Sequence, residues 1–168
     1  MHTKSHSKTT SASRSRSSEK DVIQLLQEDH RKVQKLFKDF EKQAGKDDVS
    51  SKVEIAEQIC MELKVHTQIE EEIFYPALYE ALDESDLVDE ALVEHATAKD
   101  LIEQIEAMSG SEDLYDAKVT VLGEYVNHHI EEEEKEIFPE AKKCGLDLDA
   151  LGESTQSRKE ELTSKAAH

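Results

Sequence analysis

Residues 66–76 read HTQIEEEIFYP and residues 129–139 read HIEEEEKEIFP. Each stretch sets a Glu four positions after its first His (His66 and Glu70; His129 and Glu133), adds a second Glu directly after, and closes on a Pro (Pro76, Pro139). Residues four apart on an α-helix project from one face, their Cβ atoms about 5–6 Å apart. Each copy can therefore offer one imidazole and one carboxylate to a single ion, and two copies suggest a metal site.

The repeat extends upstream of both stretches. Asp29-His30 opens an apolar-periodic segment (Val33, Leu36, Phe37, Phe40), and Glu94-His95 opens a similar one (Ala98, Leu101, Ile102, Ile105). The chain thus divides into two weakly similar halves, roughly 19–85 and 86–145, each a helix pair carrying a His and then His-x3-Glu.

Composition narrows the fold class. The 168 residues suit one domain with tails, and with 5 Gly, 2 Pro and no Trp the default is all-helical. A net charge of -18 argues against a nucleic-acid surface, which needs a basic patch. No apolar run approaches the ~20 residues of a membrane-spanning helix, and no hydrophobic signal segment opens the chain. Cys60 and Cys144 are too few for a disulfide framework, so the expected setting is a reducing cytoplasm. Residues 1–18, rich in Ser and Thr with Lys4, Lys8, Arg14 and Arg16, are expected to be a disordered basic tail. His2 and His6 within it are expected to be solvated. Residues 146–168 are expected to be a polar C-terminal tail.

Four long helices are predicted between the tails. The first spans about Glu19–Gln43, with Ser18 and Asp21 as its start signal, and the second begins at a Ser51/Glu54 capping box and reaches Tyr75, where Pro76 breaks it or starts a short extra turn. The third covers about Asp86–Ala107 and the fourth about Asp113–Lys143, disturbed at Pro139. Short connections favour an up-down-up-down four-helix bundle.

The inward seams of these helices show where the unusual residues fall. Helix one runs Val22, Leu26, His30, Val33, Phe37, Phe40; helix two runs Ile55, Ile59, Leu63, His66, Glu70, Ile73; helix three runs Leu87, Ala91, His95, Ala98, Ile102, Ile105; helix four runs Val119, Leu122, Val126, His129, Glu133, Ile137. At about 1.5 Å per residue His30, His66, Glu70, His95, His129 and Glu133 all reach one layer of the bundle. A buried pair of carboxylates with no Arg in the seams costs several kcal/mol unless it is ion-paired or binds metal. Imidazole with carboxylate suits iron, manganese or zinc, and six ligands fit two ions about 3.5–4 Å apart, bridged by the carboxylates, with coordination positions left open.

On these residues the chain resembles the hemerythrin-like family, specifically its HHE cation-binding domains, over about residues 20–145. The doubled His-x3-Glu-Glu followed by Ile73-Phe74-Tyr75-Pro76 and Ile137-Phe138-Pro139 carries the resemblance. It implies a hemerythrin-like four-helix bundle with a non-haem di-iron site, two Fe2+/Fe3+ ions with an oxo or hydroxo bridge, held by His30, His66, Glu70, His95, His129 and Glu133. The implied ligands are O2, peroxide or NO, in oxygen or iron sensing, scavenging or iron handling. Catalase- or peroxidase-like turnover and a metal-independent acidic interaction module stand as alternatives, with zinc or manganese as other occupants. No nucleic acid, no membrane and a monomer or weak homo-oligomer complete the expectation.

The chain departs from oxygen carriers of that family. Those look like His-x3-His on the third helix, where His95 is here followed by Lys99, and His-x4-Asp on the fourth, where this chain has His129-x3-Glu133. Loss of an imidazole opens the site further, and Lys99 is expected to pair with an acid rather than bind metal. Glu62 and Tyr125, each four residues before a ligand His, are expected to face the same interior layer as outer hydrogen-bond partners. His128 lies about 100° off the seam, and Glu71, Glu72, Glu131, Glu134 and Glu136 are expected to form a solvated acidic surface.

Overall fold

Asp21 starts the first helix, because its carboxylate accepts the backbone N–H of Gln24 at 2.9 Å while the Gln24 side chain accepts the Asp21 N–H at 3.0 Å. The computed structural model describes residues 19–83 and 85–166; the expected disordered tail, with His2 and His6, lies outside the described residues. The start signal is therefore Asp21 with Gln24, not Ser18 with Asp21, and α1 spans Val22–Gln43.

Helix α2 (Val49–Ile69) is capped by Asp48, which accepts the Ser51 N–H at 3.1 Å and the Ser51 hydroxyl at 2.6 Å. The expected Ser51 cap gives way to a stronger acceptor three residues earlier. The chain does not break at Pro76. A wide turn with i to i+5 hydrogen bonds (Glu70–Phe74) carries α2 into α3 (Tyr75–Leu82). Proline lacks an N–H and its ring crowds the preceding turn, and widening that turn relieves the clash.

Helix α4 (Asp86–Glu106) is capped by Ser85. Helix α5 (Tyr115–Glu132) then repeats the device: a second wide turn (Glu133–Ile137) precedes Pro139 and leads into α6 (Phe138–Lys143). Among the described residues there is no strand. Contacts run α1 to α2, α2 to α4, α4 to α5 and α5 to α1, closing a ring of four antiparallel rods.

Within the polar C-terminal segment, residues 148–166 form a further helix, α7 (Leu148–Ala166), which packs on α1 and α2. Its amphipathic signal is weak in the sequence because the contact face uses small residues. Thr155 is buried, Leu151 and Leu162 are half-buried, and at Gly152 a Cβ would lie 2.5 Å from the Lys20 carbonyl oxygen and 3.0 Å from the Asp21 backbone. Gly152→Ala is accordingly expected to loosen α7 and cost roughly 1–3 kcal/mol, read as a lower midpoint in thermal unfolding followed by circular dichroism.

Two apolar clusters fill the bundle. One gathers Val33, Phe37, Phe40, Ile59, Leu63, Ile102, Ile105, Leu122 and Val126 toward one end. The other gathers Val22, Leu26, Ile69, Phe74, Leu78, Val88, Ile137 and Phe138 toward the proline end. Along each seam the six His and Glu residues fall between these clusters, so they are sealed above and below by packed side chains.

Candidate metal centre

His30 comes from α1, His66 from α2, His95 from α4 and His129 from α5, while Glu70 and Glu133 open the two wide turns. Both carboxylates are fully buried, and His30, His66 and His95 are buried with them. Donor atoms of His30, His66, Glu70 and Glu133 lie within 4.8 Å of one another, as do those of Glu70, His95 and His129. Glu70 belongs to both groups, which places its carboxylate between two candidate ion positions. Glu133 links the groups from the other side, with Oε1 3.1 Å from His30 Nε2 and Oε2 3.3 Å from His129 Nε2.

All four imidazoles share one orientation. Each Nδ1–H donates to an acid: His30 to Glu134 at 3.1 Å, His66 to Asp29 at 3.0 Å, His95 to Glu71 at 3.2 Å and His129 to Glu94 at 2.9 Å. These bonds fix the tautomer and turn every Nε2 lone pair inward. The pattern is twofold: the acid before each first His (Asp29, Glu94) serves the second His of its own half, and the acid after each site Glu (Glu71, Glu134) serves the first His of the other half. Glu71 and Glu134, read from sequence as solvated surface, are thus partners of the centre. Their signal was present in the repeated Asp/Glu-His and Glu-Glu pairs.

Other expected neighbours fall differently. Lys99 pairs with Glu71 at 2.7 and 2.8 Å, as an acid partner should. Glu62 does not join the layer; it pairs with Lys32 at 2.7 Å. Tyr125 is 42% exposed and rims the cavity beside the histidines instead of being buried against them. His128 points to solvent and pairs with Glu132 at 3.0 Å. Cys60 is buried away from the centre, and burial pushes its thiol up to about 12, so it is an inert core residue.

Tyr75 is the residue that sequence reasoning missed. Its buried hydroxyl donates to Glu133, and burial, with the charges of Glu133 and Glu70, holds the phenol protonated well above its usual range. On a regular helix Tyr75 would sit about 140° away from Glu70. The wide turn brings position i+5 under position i. Phe138, its counterpart in the second half, stacks on His30 with ring centroids 5.8 Å apart.

Electrostatics show what this layer demands. Burial opposes a charged His129, but its contact with Glu133 and the charges of Glu133, Glu70 and Glu94 outweigh it and push the imidazole up to about 9. His66 is likewise raised, by Glu70 and Asp29 against burial. Glu133, though fully buried, is held well below the usual carboxylate range by Glu70, His129 and His30. Protons on the imidazoles therefore balance the buried carboxylates when no cation does.

The donor set fits a pair of divalent ions. His30 Nε2, His66 Nε2, both oxygens of Glu70 and Oε1 of Glu133 are buried and, apart from the contacts His30–Glu133 and His66–Glu70 within the layer, have no hydrogen-bond partner among the described residues. Buried lone pairs on four of the six converging side chains, left to face only one another, are costly in a protein interior and are what a bound cation satisfies. Beside them lies a cavity of about 40 Å³, lined by the four imidazoles and by Val33, Leu63, Ala98, Val126 and Ile130.

A model of the hemerythrin HHE cation binding domain matches residues 21–141. A curated protein from Nostoc sp., described as a DNA nickase, is 33% identical over 118 residues, which is 70% of this chain and 32% of that protein. The chain thus spans about a third of that relative's length. A hemerythrin HHE cation binding domain-containing protein from Mycobacterium kansasii has the same fold, with a TM-score of 0.74 at 24% identity over 88% of this chain and 90% of that one. No helix of the described residues is long and apolar enough to cross a membrane.

Proposed function

Because the chain belongs to the hemerythrin HHE cation-binding family, we propose that it holds two iron ions between His30, His66, Glu70, His95, His129 and Glu133 and binds a small neutral or peroxidic ligand (O2, peroxide or NO) beside them. The observation that carries this reading is the doubled donor group sharing Glu70, with its lone pairs orphaned and a small apolar cavity against the imidazoles. Iron would supply one-electron chemistry and open coordination positions. The chain supplies the rest: four acids orient the imidazoles, two apolar clusters exclude water, and the Tyr75 hydroxyl offers a proton donor at Glu133.

Anaerobic loading with ferrous iron is expected to leave two ions per chain, with charge-transfer absorption appearing on exposure to air. Fewer than one ion per chain would sink the reading. Turnover of peroxide is a second reading, favoured by the buried phenol next to the donor layer; in a peroxide-decay assay Tyr75→Phe should then slow the rate while iron content stays at two. Nicking of DNA, the description given to the Nostoc relative, is not extended to this chain, because its charge of -18 and the acids ringing the centre repel a phosphate backbone.

A further inference from the structure

Helix α7 lies outside both repeats, yet one of its side chains reaches the centre. Lys159 Nζ donates to Oδ1 of Asp29, and the other oxygen of that carboxylate, Oδ2, accepts the Nδ1–H of His66 at 3.0 Å. Asp29 is buried, and the Lys159 side chain is 27% exposed. The carboxylate is thus held at both ends, by the lysine on one oxygen and the imidazole on the other.

The other metal position has a comparable clamp, on the acid of its first His. Lys99 clamps Glu71 at 2.7 and 2.8 Å, and Glu71 accepts from His95. Lys99 stands four residues after His95. The matching position after His30 is Gln34, which bonds Asn127 at 3.3 Å and offers no cation to the centre. Gln34 leaves the first repeat without that lysine, and the one from α7 clamps a different acid, Asp29, which serves a second His as Glu94 does.

We propose that Lys159 is a positioning residue for the metal position served by His30 and His66: through Asp29 it fixes the His66 ring, which makes α7 a working part of the centre. This inference rests on the two-ion reading above. Losing Lys159 leaves Asp29 free to turn, and the imidazole it orients with it; weakened outer partners of this kind typically cost about 10- to 100-fold in metal affinity.

The test is an anaerobic titration of the full chain with Co2+, followed by its visible absorption, for wild type, Lys159→Met and Lys159→Arg. Lys159→Met is expected to weaken one of two binding steps by 10- to 100-fold and leave the other unchanged, with Lys159→Arg close to wild type. Two unchanged steps, or two steps weakened equally, would overturn the assignment, the second because it marks general destabilisation. If wild type takes up no cobalt, the two-ion reading fails, and the metal-free protein decides the positioning claim by itself. There the His66 Nδ1–H resonance should exchange slowly with solvent in wild type and Lys159→Arg and be lost in Lys159→Met; persistence in Lys159→Met overturns it.

Discussion

Glu70→Gln is expected to disable both metal positions at once. Glu70 is the carboxylate common to the two donor groups, and without it the only carboxylate left to the two positions is Glu133, through Oε1 beside His30 and Oε2 beside His129. Glutamine conserves the volume of a fully buried side chain but offers a neutral amide, so the loss should exceed the roughly 10- to 100-fold commanded by an outer hydrogen-bond partner. Iron content after anaerobic loading should fall from two per chain to less than one, whereas Glu133→Gln should retain the His95–His129 ion. The same substitution should also weaken the metal-free protein. There the Glu70 carboxylate is paired with His66, and removing one partner of a buried pair typically costs about 3–5 kcal/mol. Thermal unfolding in chelator should thus place Glu70→Gln below wild type. Two ions retained in Glu70→Gln would refute the shared-carboxylate geometry.

The helical bundle and the six inward residues were legible because they follow a 3.6-residue period, the signal a single sequence carries most strongly. His66 and Glu70 fall on one stripe with Leu63 and Ile59, and the copy with His129 and Glu133 repeats it. Two features escaped for physical reasons. The wide turns at Glu70–Phe74 and Glu133–Ile137 shift the register after each motif, so Tyr75 arrives under Glu70 although the regular period points it elsewhere. Helix α7 docks through Gly152 and Thr155, residues that pack closely without producing an apolar stripe. Glu71 and Glu134 were misjudged because a run of glutamates looks uniformly solvated, whereas the fold brings each against an imidazole from the other half. Glu62 and Tyr125 show the converse: the stripe position four residues before a site His puts Glu62 on Lys32 and Tyr125 at the exposed rim of the cavity, not on the imidazoles.

Metal-free and loaded protein are expected to respond to pH with opposite slopes. In the metal-free chain His66 and His129 are raised above the ordinary imidazole value of about 6.5, His129 to about 9. Each contributes stability that is fully present below about pH 6.5 and is lost as pH rises through its folded value, by roughly 1.4 kcal/mol per pH unit for each proton. On the acid side Glu133 and Asp29 are lowered, and Glu71 is held at about 2 by its hydrogen bond from His95 and by Lys99. Their contributions are present above the ordinary carboxylate range and are lost as pH falls through the lowered values. Metal-free stability should therefore peak between about pH 4.5 and 6.5 and decline toward pH 9. Metal needs the unprotonated Nε2 lone pairs, so its binding releases those same protons and strengthens as pH rises. Melting curves with ferrous iron under anaerobic conditions, set against curves in chelator, should diverge steadily from pH 6 to 9, with the loaded protein gaining. A helical module with no use for metal would give parallel curves, since nothing would take the place of the protons that balance Glu70 and Glu133.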